Sequence, residues 1–582
     1  MKKMISILCV FAMMLTIVVG AGAAEYKEGT YSASAAGRNG EVTVSVTFSN
    51  TAITGISVES EETPTIGAAA MDELAQTVLN TQTIPADAVS GATVSSDAFV
   101  SALRDCITQA GADPDSMRGE AAEETAEEYV TEADVIVVGA GGAGLSASVT
   151  AAQAGATVIL LEKSNIVGGN TLMTMAGINA VDSKVQLADE EYQAQDTSAE
   201  AFKALHTHEG AHEELIDAYA ANSGELIDWV SDMGVEFEVK ITQDPRNELQ
   251  NYWMLYSGGN FETAMHIVTA LDNQLKQEEN ISLYLNIDAT ELLTDDNGAV
   301  IGVKAVNQAG EEIEFYGKKV ILATGGYCAN PDIYLQYIPE WKNAVIGVNA
   351  PTTGEGLEMA TAVGAVLVDM DQIQPFGHTM VGYGLVTPPS TAFPGGNDID
   401  CIFVNQDAER FAQEGSNRTL PNDVILANEK SFCIFDDSGM NDFMAARVAG
   451  GYVQEADSVR ELAEKLGLDP DKLEASVAAY NEDIADGVDD AFAKDPVQPI
   501  DGQKYYGYQF GLCAHYCMGG ILINENTEVV YENGTAIPNL YAAGEVTGGF
   551  HGVKRIDGSG DGDAFVFGRI AGRNAAATAL AG

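Results

Sequence analysis

Alternating apolar and polar positions characterise the first part of the chain. In the segment EVTVSVTF, at 41–48, every second residue is apolar, which is the period of a strand buried on one face. The segments GTYSASAAG and ITGISVES on either side also read as strands, and a helical stretch is predicted over 68–80. The pattern predicts a small α+β domain over residues 25–111.

The periodicity weakens over 112–133, a segment that is acidic and poor in large apolar side chains and is predicted to be an interdomain linker. From residue 134 the segment DVIVVGAGGAGLSASVTAAQAGATVILLEKS reads as strand, glycine-rich turn, helix and strand. Its apolar residues run without interruption from Val135 to Val138, as expected for a strand in a parallel sheet that is covered on both faces. The sequence therefore predicts that a Rossmann-like α/β domain begins here.

Two later strands are predicted to belong to the same sheet. They are KVILA at 319–323 and LYAA at 540–543, and the second lies close to the C-terminus. A sheet strand so late in the chain indicates that another domain is inserted between distant parts of the first. The prediction is an α/β domain formed by 134–370 and 513–582, with an inserted α+β capping (clamp) domain at 371–512.

The N-terminal segment MKKMISILCVFAMMLTIVVGAGAA has the three parts of a signal peptide. Two lysines precede an apolar run that extends to Val19, and small residues follow. Cleavage near Ala23 or Ala24 would remove residues 1–24, and the rest of the chain would be exported to the extracytoplasmic side of the membrane. Because the apolar run is nearly long enough to span a bilayer, a retained membrane anchor is the alternative.

Charge and cysteine content narrow the possible partners. The chain has 29 Lys and Arg against 86 Asp and Glu, a formal net charge of -57, so nucleic acid is not an expected partner. Its seven cysteines include no CxxC and no CxxCH motif, so the sequence indicates neither a zinc site of that kind nor a covalently bound haem. Cys513 and Cys517 could form a disulfide, but buried free thiols are the preferred interpretation.

The turn GAGGAG after the first strand of the α/β domain fits GxGxxG in a strand–turn–helix context. Gly139 permits the tight turn, Gly141 lets the backbone approach a pyrophosphate, and Gly144 lets the helix pack closely on the strand. The helix N-terminus attracts the pyrophosphate, and Glu162 at the end of the next strand is expected to accept hydrogen bonds from a ribose. The sequence therefore predicts a dinucleotide site.

Three further glycine-bearing segments accompany this turn: GGNTLMTMAGINA at 168–180, ATGGY at 323–327 and LYAAGEVTGG at 540–549. With the first turn they resemble the FAD-dependent fumarate/urocanate reductase (flavocytochrome c-like) family. The resemblance implies non-covalent FAD and a contact between Glu545 and its ribityl region. The other residues predicted to bind the cofactor are Gly139, Ala140, Gly141, Gly144, Glu162, Lys163, Gly169, Asn170, Thr171, Ala323, Thr324, Gly325 and Gly326.

The segment DAVSGATVSS in the first domain resembles the motif of FMN-binding domains, in which FMN is attached through a phosphoester to threonine. The resemblance implies that Ser90 belongs to the FMN site, that Thr93 carries the FMN, and that a separate flavin transferase attaches it. Attachment to Ser95 or Ser96 is a minor option. The alternative is an ordinary Ser-Gly turn followed by a helix cap at one of these two serines.

Three segments resemble the substrate-binding parts of the same family. In HGVKR, the resemblance implies that Arg555 binds a substrate carboxylate. A guanidinium is suited to this because two of its N–H groups can bind the two carboxylate oxygens. In AERFAQEGSNRTLPNDVIL, Arg418 corresponds to the proton donor, and a salt bridge to Glu414 is the alternative. In CAHYCMGG, His515 and Tyr516 correspond to a pair of histidines, and a structural role is the alternative for His515.

The sequence also departs from the family. In QIQP, Gln374 stands where the family has histidine, and we considered His378 as a substitute. The pair of a threonine and a glutamate that binds the second carboxylate in fumarate reductases has no match near 390–397. These differences favour an unsaturated acid with one carboxylate over fumarate.

The resemblance implies an exported ene-reductase that transfers hydride from FAD to an α,β-unsaturated carboxylate of the urocanate, acrylate or cinnamate kind. Covalent FMN would receive electrons from a membrane or soluble donor, in anaerobic respiration. One alternative is an FAD-dependent dehydrogenase of the same superfamily that acts on a 3-ketosteroid or a succinate-like substrate. The other is a non-catalytic FMN/FAD electron carrier.

Overall fold

A computed structural model describes most of the chain. The described residues are 5–6, 26–38, 40–60, 62, 67–85, 92–117, 129–174, 177–194, 199–243, 251–258, 262–346, 352–382, 384–385, 401–414, 422–486, 492 and 498–581. They form two compact units, one of Met1–Tyr129 with Ser164–Ile166 and the other of Val130–Lys163 with Val167–Gly582. Within the described part of the chain, no helix is both long enough and apolar enough to cross a membrane.

The first unit is a four-stranded antiparallel sheet with two helices. The strand order is β1-β4-β3-β2. The elements are β1 (Ile5–Ser6), β2 (Gly29–Ala36), β3 (Glu41–Phe48), β4 (Ile53–Glu59), α1 (Ala69–Thr81) and α2 (Thr93–Gln109), with a 3-10 turn at Pro114–Met117. The alternate residues of β3 are buried in one apolar core with α1 and α2, which confirms the predicted strand period and the predicted helix at 68–80.

The second unit is built on an eight-stranded sheet. Its main path is β10-β11-β12-β5-β6-β9, and β22 pairs with β12 and with β21. The strands are β5 (Glu132–Val138), β6 (Val158–Leu161), β9 (Ile281–Tyr284), β10 (Ile287–Thr294), β11 (Val300–Asn307), β12 (Glu312–Leu322), β21 (Glu528–Val530) and β22 (Ala536–Ala542). The predicted strands at 319–323 and 540–543 are the ends of β12 and β22, which run in parallel. Distant parts of the chain therefore share one sheet.

This unit also contains helices, some of which pack against the sheet. They are α3 (Gly142–Gln153), α4 (Lys184–Ala188), α5 (Glu190–Gln193), α6 (Ala199–His206), α7 (Glu213–Asp232), α8 (Thr263–Leu275), α9 (Pro331–Tyr334), α10 (Glu355–Ala362) and α15 (Ser559–Ala581), with 3-10 turns at Gly169–Met173 and Pro339–Asn343. Helix α15 packs closely against α3. At Gly568 and Gly572 a Cβ would collide with the backbone of α3, so small residues permit this approach.

A six-stranded antiparallel sheet forms within the predicted capping segment and continues beyond it. Its strands are β14 (Ile373–Met380), β15 (Gly384–Leu385), β16 (Cys401–Asn405), β17 (Ser431–Asp436), β18 (Gln454–Ala456) and β19 (Tyr505–Cys517). Helices α13 (Val459–Leu466) and α14 (Pro470–Asp486) share an apolar core with this sheet. Strand β19 is continuous across the predicted boundary after residue 512, and it brings the segment CAHYC beside β14.

Shorter elements complete the second unit. They are the pair β7 (Glu238–Gln243) and β8 (Asn251–Tyr256), the sheet of β13 (Leu367–Val368), β20 (Gly520–Leu522) and β23 (Thr547–Gly548), the helices α11 (Asn422–Leu426) and α12 (Asp442–Ala449), and a 3-10 turn at Asp437–Gly439.

Candidate active site

The glycine turn between β5 and α3 has the shape that the sequence predicts. Gly139 has φ +97°, and a Cβ there would collide with the carbonyl oxygen of Ala323. A Cβ at Gly144 would collide with the carbonyl oxygen of Gly139, so the helix packs directly on the turn. At Gly141 the nearest atom to a Cβ is 3.9 Å away, and no side chain caps the helix at this position. The turn therefore leaves a bare backbone surface at a helix N-terminus, which fits a pyrophosphate.

Polar side chains border this turn. Glu162 accepts a hydrogen bond from the backbone N–H of Ala140 at 2.7 Å, which fixes the carboxylate beside the glycine turn. Lys163 donates to Glu355 at 2.8 Å, so its charge is already paired. The hydroxyl of Thr171 accepts from the N–H of Gly142 at 3.2 Å and joins the second glycine segment to the first.

Two other predicted cofactor segments also carry polar side chains, Thr324 after β12 and Asn170 in the segment that follows β6. The hydroxyl oxygen of Thr324 is shielded from solvent and has no hydrogen-bond partner among the described residues. Asn170 lies 3.5 Å from the hydroxyl of Thr352. A bare glycine turn together with an unpaired buried hydroxyl fits a ligand such as FAD, which brings both a pyrophosphate and polar groups.

Glu545 follows β22 and contacts another of the predicted cofactor segments. Its carboxylate accepts the backbone N–H of Cys517 at 2.9 Å. A Cβ at Gly326 would lie 2.8 Å from the same carboxylate oxygen, so the two segments are in close contact. Burial raises the pKa of Glu545 to about 7, although the N–H of Cys517 and the charge of Arg555 act in the opposite direction. Near neutral pH this carboxyl can therefore accept or donate a hydrogen bond.

Arg555 lies in a frame formed by the adjacent strands β14 and β19. Gln374 and Tyr516 are register partners in these strands. The Nε of Arg555 donates to the amide oxygen of Gln374 at 2.5 Å, and its Cζ lies 4.7 Å from the centre of the Tyr516 ring. A Cβ at Gly560 would lie 2.6 Å from Nη1 of the arginine, so a glycine is needed for this placement. The frame leaves the terminal nitrogens of the guanidinium without a hydrogen bond from the described residues.

Behind Tyr516 lies a buried polar group. The Tyr516 hydroxyl donates to Asp563 at 2.8 Å, and the Nε2 of His551 lies 3.3 Å from that hydroxyl and 3.5 Å from the carboxylate. Burial raises the pKa of Tyr516 and lowers that of His551. The tyrosine hydroxyl is thus occupied by Asp563, and its ring faces the arginine.

Comparison with known proteins gives a separate family match for each of the two parts of the chain. Residues 134–560 match the FAD binding domain family, and residues 37–108 match the FMN-binding domain family. The urocanate reductase of Eggerthella lenta is 31% identical over 96% of this chain and 94% of that protein. The chain belongs to the FAD-dependent fumarate/urocanate reductase family. This is a family of FAD- and FMN-dependent oxidoreductases that act on carbon–carbon double bonds.

Two other comparisons agree with this family assignment. The NADH:acrylate oxidoreductase of Vibrio harveyi is 30% identical over 95% of this chain, which spans only 61% of that relative's length. Among solved structures, the open conformation of a flavocytochrome c3 fumarate reductase has a TM-score of 0.68 and 28% identity, and the match covers 80% of this chain and 84% of that one. The predicted fold, an FAD-binding domain with an FMN-binding domain before it, is confirmed.

Sequence reasoning missed two acids in this reductase fold. Asp563 binds Tyr516, and Asp561 is buried two residues earlier, where burial raises its pKa to about 7 against the effects of Thr174 and Arg555. The sequence shows only that two acids occur near the motif HGVKR. Their position in the first turns of α15, where acids are favoured, is a signal for a helix start rather than for a site.

The two histidines considered for the site have different surroundings. His515 lies on β19 next to Tyr516, at an irregularity in the register between β14 and β19, and its ring is 5.6 Å from that of Phe376. The ring of His378 lies 4.6 Å from that of Phe403 and 4.2 Å from that of Phe510. His378 is thus enclosed in an aromatic core, which does not fit a substitute for the histidine that Gln374 replaces.

Several predicted residues fall outside the described part of the chain. They are Arg418, Ser90 and the segment 390–397. Thr93 is the first residue of α2, and its side chain is not described. Helix α2 begins after Ala92 without a side-chain cap, so the helix cap that we considered at Ser95 or Ser96 is not observed.

Proposed function

We propose that this protein is an exported ene-reductase that reduces the double bond of an α,β-unsaturated acid with a single carboxylate. The observation that carries the proposal is the arrangement of Arg555. Its Nε is bound by Gln374 and its face is covered by Tyr516, so only the two terminal nitrogens remain for a ligand. This edge of a guanidinium matches the two oxygens of a carboxylate.

The chain's own residues would bind and polarise the substrate. Arg555 would hold the carboxylate and stabilise the negative charge that develops on it when the double bond is reduced. Bound FAD supplies the hydride. Arg418 would supply the proton to the other carbon, a role that rests on its place in the family's motif. His515 and Tyr516 would line the site, Tyr516 with its ring rather than with its hydroxyl.

The buried acids explain the preference for one carboxylate. Asp561 and Asp563 are both buried in the same short segment as Arg555. One carboxylate oxygen of Asp563 has no hydrogen-bond partner among the described residues. A second substrate carboxylate close to Asp563 would be repelled, because like charges interact strongly where water is excluded. A neutral or hydrogen-bond-donating group, such as an imidazole, an aromatic ring or a short alkyl group, would be accommodated.

Electrons would enter through FMN on Thr93 from a membrane or soluble donor, after attachment by a flavin transferase, as part of anaerobic respiration. Thr93 is favoured over Ser95 because the hydroxyl of Ser95 is buried and donates to Glu62 at 2.6 Å. Export is supported by the signal peptide pattern at 1–24. An enzyme outside the cytoplasm needs such a separate electron donor.

The test is anaerobic oxidation of reduced methyl viologen by the flavinylated protein. The acceptors are fumarate, urocanate, cinnamate, acrylate, methacrylate, itaconate and a 3-ketosteroid. We expect turnover with at least one acid that has a single carboxylate, and slower turnover with fumarate and itaconate. Arg555→Ala should lower kcat/KM by about a hundredfold or more, because the charged partner of the substrate carboxylate is lost. Arg418→Ala should lower kcat.

The control is Arg573→Ala, which removes an exposed arginine from the C-terminal helix α15 and should leave turnover unchanged. Two results would contradict the proposal. No turnover with any acceptor, while both flavins are bound and reducible, would favour an electron carrier. Reduction of an added oxidised dye by a saturated 3-ketosteroid, with no reduction of any acid by reduced methyl viologen, would favour a dehydrogenase.

A further inference from the structure

Two buried cysteines lie together beside the flavin segments. The Sγ atoms of Cys328 and Cys517 are 3.1 Å apart, although 189 residues separate them in the chain. Both thiols are buried and both are free. Cys513, which the sequence analysis considered as a possible disulfide partner of Cys517, instead accepts a hydrogen bond from the hydroxyl of Thr379 at 2.9 Å.

The surroundings of the pair hold it at the flavin site. The backbone N–H of Tyr327 donates to the sulfur of Cys517 at 3.1 Å, and the N–H of Cys517 donates to Glu545. A Cβ at Gly326 would lie 2.8 Å from the sulfur of Cys517. Cys328 follows the segment ATGGY, and Cys517 ends β19. The two sulfurs therefore join a cofactor segment to the strand that carries Tyr516.

We propose that Cys328 and Cys517 are a redox couple that forms a disulfide in the wall of the flavin site. Two S–H bonds break, one S–S bond forms, and the two protons pass to the sulfurs of the oxidant. The two electrons pass to an oxidant of the disulfide class, such as oxidised glutathione, which is reduced to two thiols. The bond closes a loop that contains most of the capping sheet, and it stabilises the fold by restricting the unfolded chain.

Because both thiols are buried, the disulfide can form only at certain stages. It raises the pKa of both thiols, so in the folded protein they remain protonated and attack a disulfide slowly. The bond would therefore form while the chain folds or during local opening, and once formed it would be protected from reductants. The neighbouring cysteine Cys513 is also buried, but its sulfur contacts a threonine hydroxyl rather than a thiol.

The experiment measures the pairing directly. The flavin-loaded protein is incubated in glutathione buffers of increasing oxidised fraction until its thiol content is constant. It is then quenched with acid, denatured, alkylated, digested and analysed by mass spectrometry. We expect one cross-linked peptide pair, containing Cys328 and Cys517, to appear with a single midpoint, while the other buried cysteines are alkylated. Alkylation of Cys328 and Cys517 at every ratio, even after refolding in the most oxidising buffer, would overturn the proposal.

Thermal unfolding gives a second readout. The oxidised protein should unfold at a higher temperature than the reduced protein, and Cys328→Ser should abolish this difference. Cys513→Ser is the matched control, because it removes a buried thiol from the strand that carries Cys517 and should leave both the cross-link and the difference in place. If the two variants behave alike, the proposal fails.

A metal ion is the competing occupant. Sulfur atoms of Cys328 and Cys517 and a carboxylate oxygen of Glu545 lie within 4.8 Å of one another, which would also suit a thiophilic cation such as Zn²⁺. Elemental analysis of the purified protein distinguishes the two. One equivalent of zinc that is lost in Cys328→Ser and that protects both thiols from oxidation would overturn the disulfide proposal.

Discussion

The ring of His378 packs against the rings of Phe403 and Phe510, and neither of its nitrogens has a hydrogen-bond partner among the described residues. Burial lowers its pKa from 6.5 to about 3. The unfolded chain binds a proton at this residue below about pH 6.5, whereas the folded chain does not until about pH 3. The folded state is therefore penalised as the pH falls from 6.5 towards 3, by about 1.4 kcal/mol per pH unit.

His378→Phe removes this proton and keeps an aromatic ring in the core. Between about pH 7 and about pH 4, the free energy of unfolding should fall by about 3 kcal/mol less in the variant than in the original protein. The measurement is the thermal unfolding midpoint of both proteins over this range. Curves that stay parallel at all pH values would show that the histidine is not buried in its neutral form.

The residues of the site were only partly predictable, because some of them act through contacts between distant parts of the chain. Arg555 and Tyr516 stand in motifs that identify them, and the structure brings them together. The role of Gln374 depends on a contact with Arg555 across 181 residues, and no periodicity or motif records such a contact. Asp563 was missed because an acid near a helix start has an ordinary explanation in capping.

At the scale of elements, two glycines of the turn before α3 have different functions. Gly144 allows the helix to pack on the turn, and Gly141 leaves space for a pyrophosphate. Gly144→Ala would place a Cβ against the carbonyl oxygen of Gly139, and we expect it to destabilise the fold by about 1–3 kcal/mol or more. Gly141→Ala has no atom within 3.9 Å of its Cβ and an ordinary φ of -72°. It should therefore fold normally but bind FAD about tenfold or more weakly, about 1.4 kcal/mol, because the pyrophosphate needs that space.

FAD binding is measured by titration, with flavin fluorescence as the signal. Thermal unfolding of both variants is measured without added FAD. The two variants control each other, since they add the same methyl group in the same turn. Normal FAD affinity in a folded Gly141→Ala protein would mean that the pyrophosphate does not approach the backbone at this turn.

The strands themselves were easier to predict than the strands with which they pair. The alternation in β3 and the unbroken apolar run in β5 follow from which faces are buried, and both strands were predicted. The pairing of β14 with β19 was not predicted, because it depends on strands far apart in sequence and includes two irregularities in register. Yet this pairing is what sets Gln374 beside Tyr516.

At the scale of the whole molecule, the chain combines an FMN-binding and an FAD-binding domain, so each flavin can be tested by a substitution in its own domain. Thr93→Val replaces the hydroxyl that we expect to carry FMN with a methyl group of the same shape. The denatured protein should then show no covalent flavin fluorescence, while FAD is still released in full. Turnover with reduced methyl viologen should fall by most of its value if electrons reach FAD through FMN.

Thr108→Val is the matched control for Thr93→Val. Thr108 lies on the same helix, is exposed, and donates only to the carbonyl of Arg104 at 2.9 Å, so its loss should leave both flavins in place. Ser95→Ala tests the minor attachment site in the same assay. If Thr93→Val retains covalent flavin and Ser95→Ala loses it, the attachment residue is wrong but the two-flavin route survives. If Thr93→Val loses the flavin and turnover is unchanged, the attachment is right and FMN is not the point at which these electrons enter.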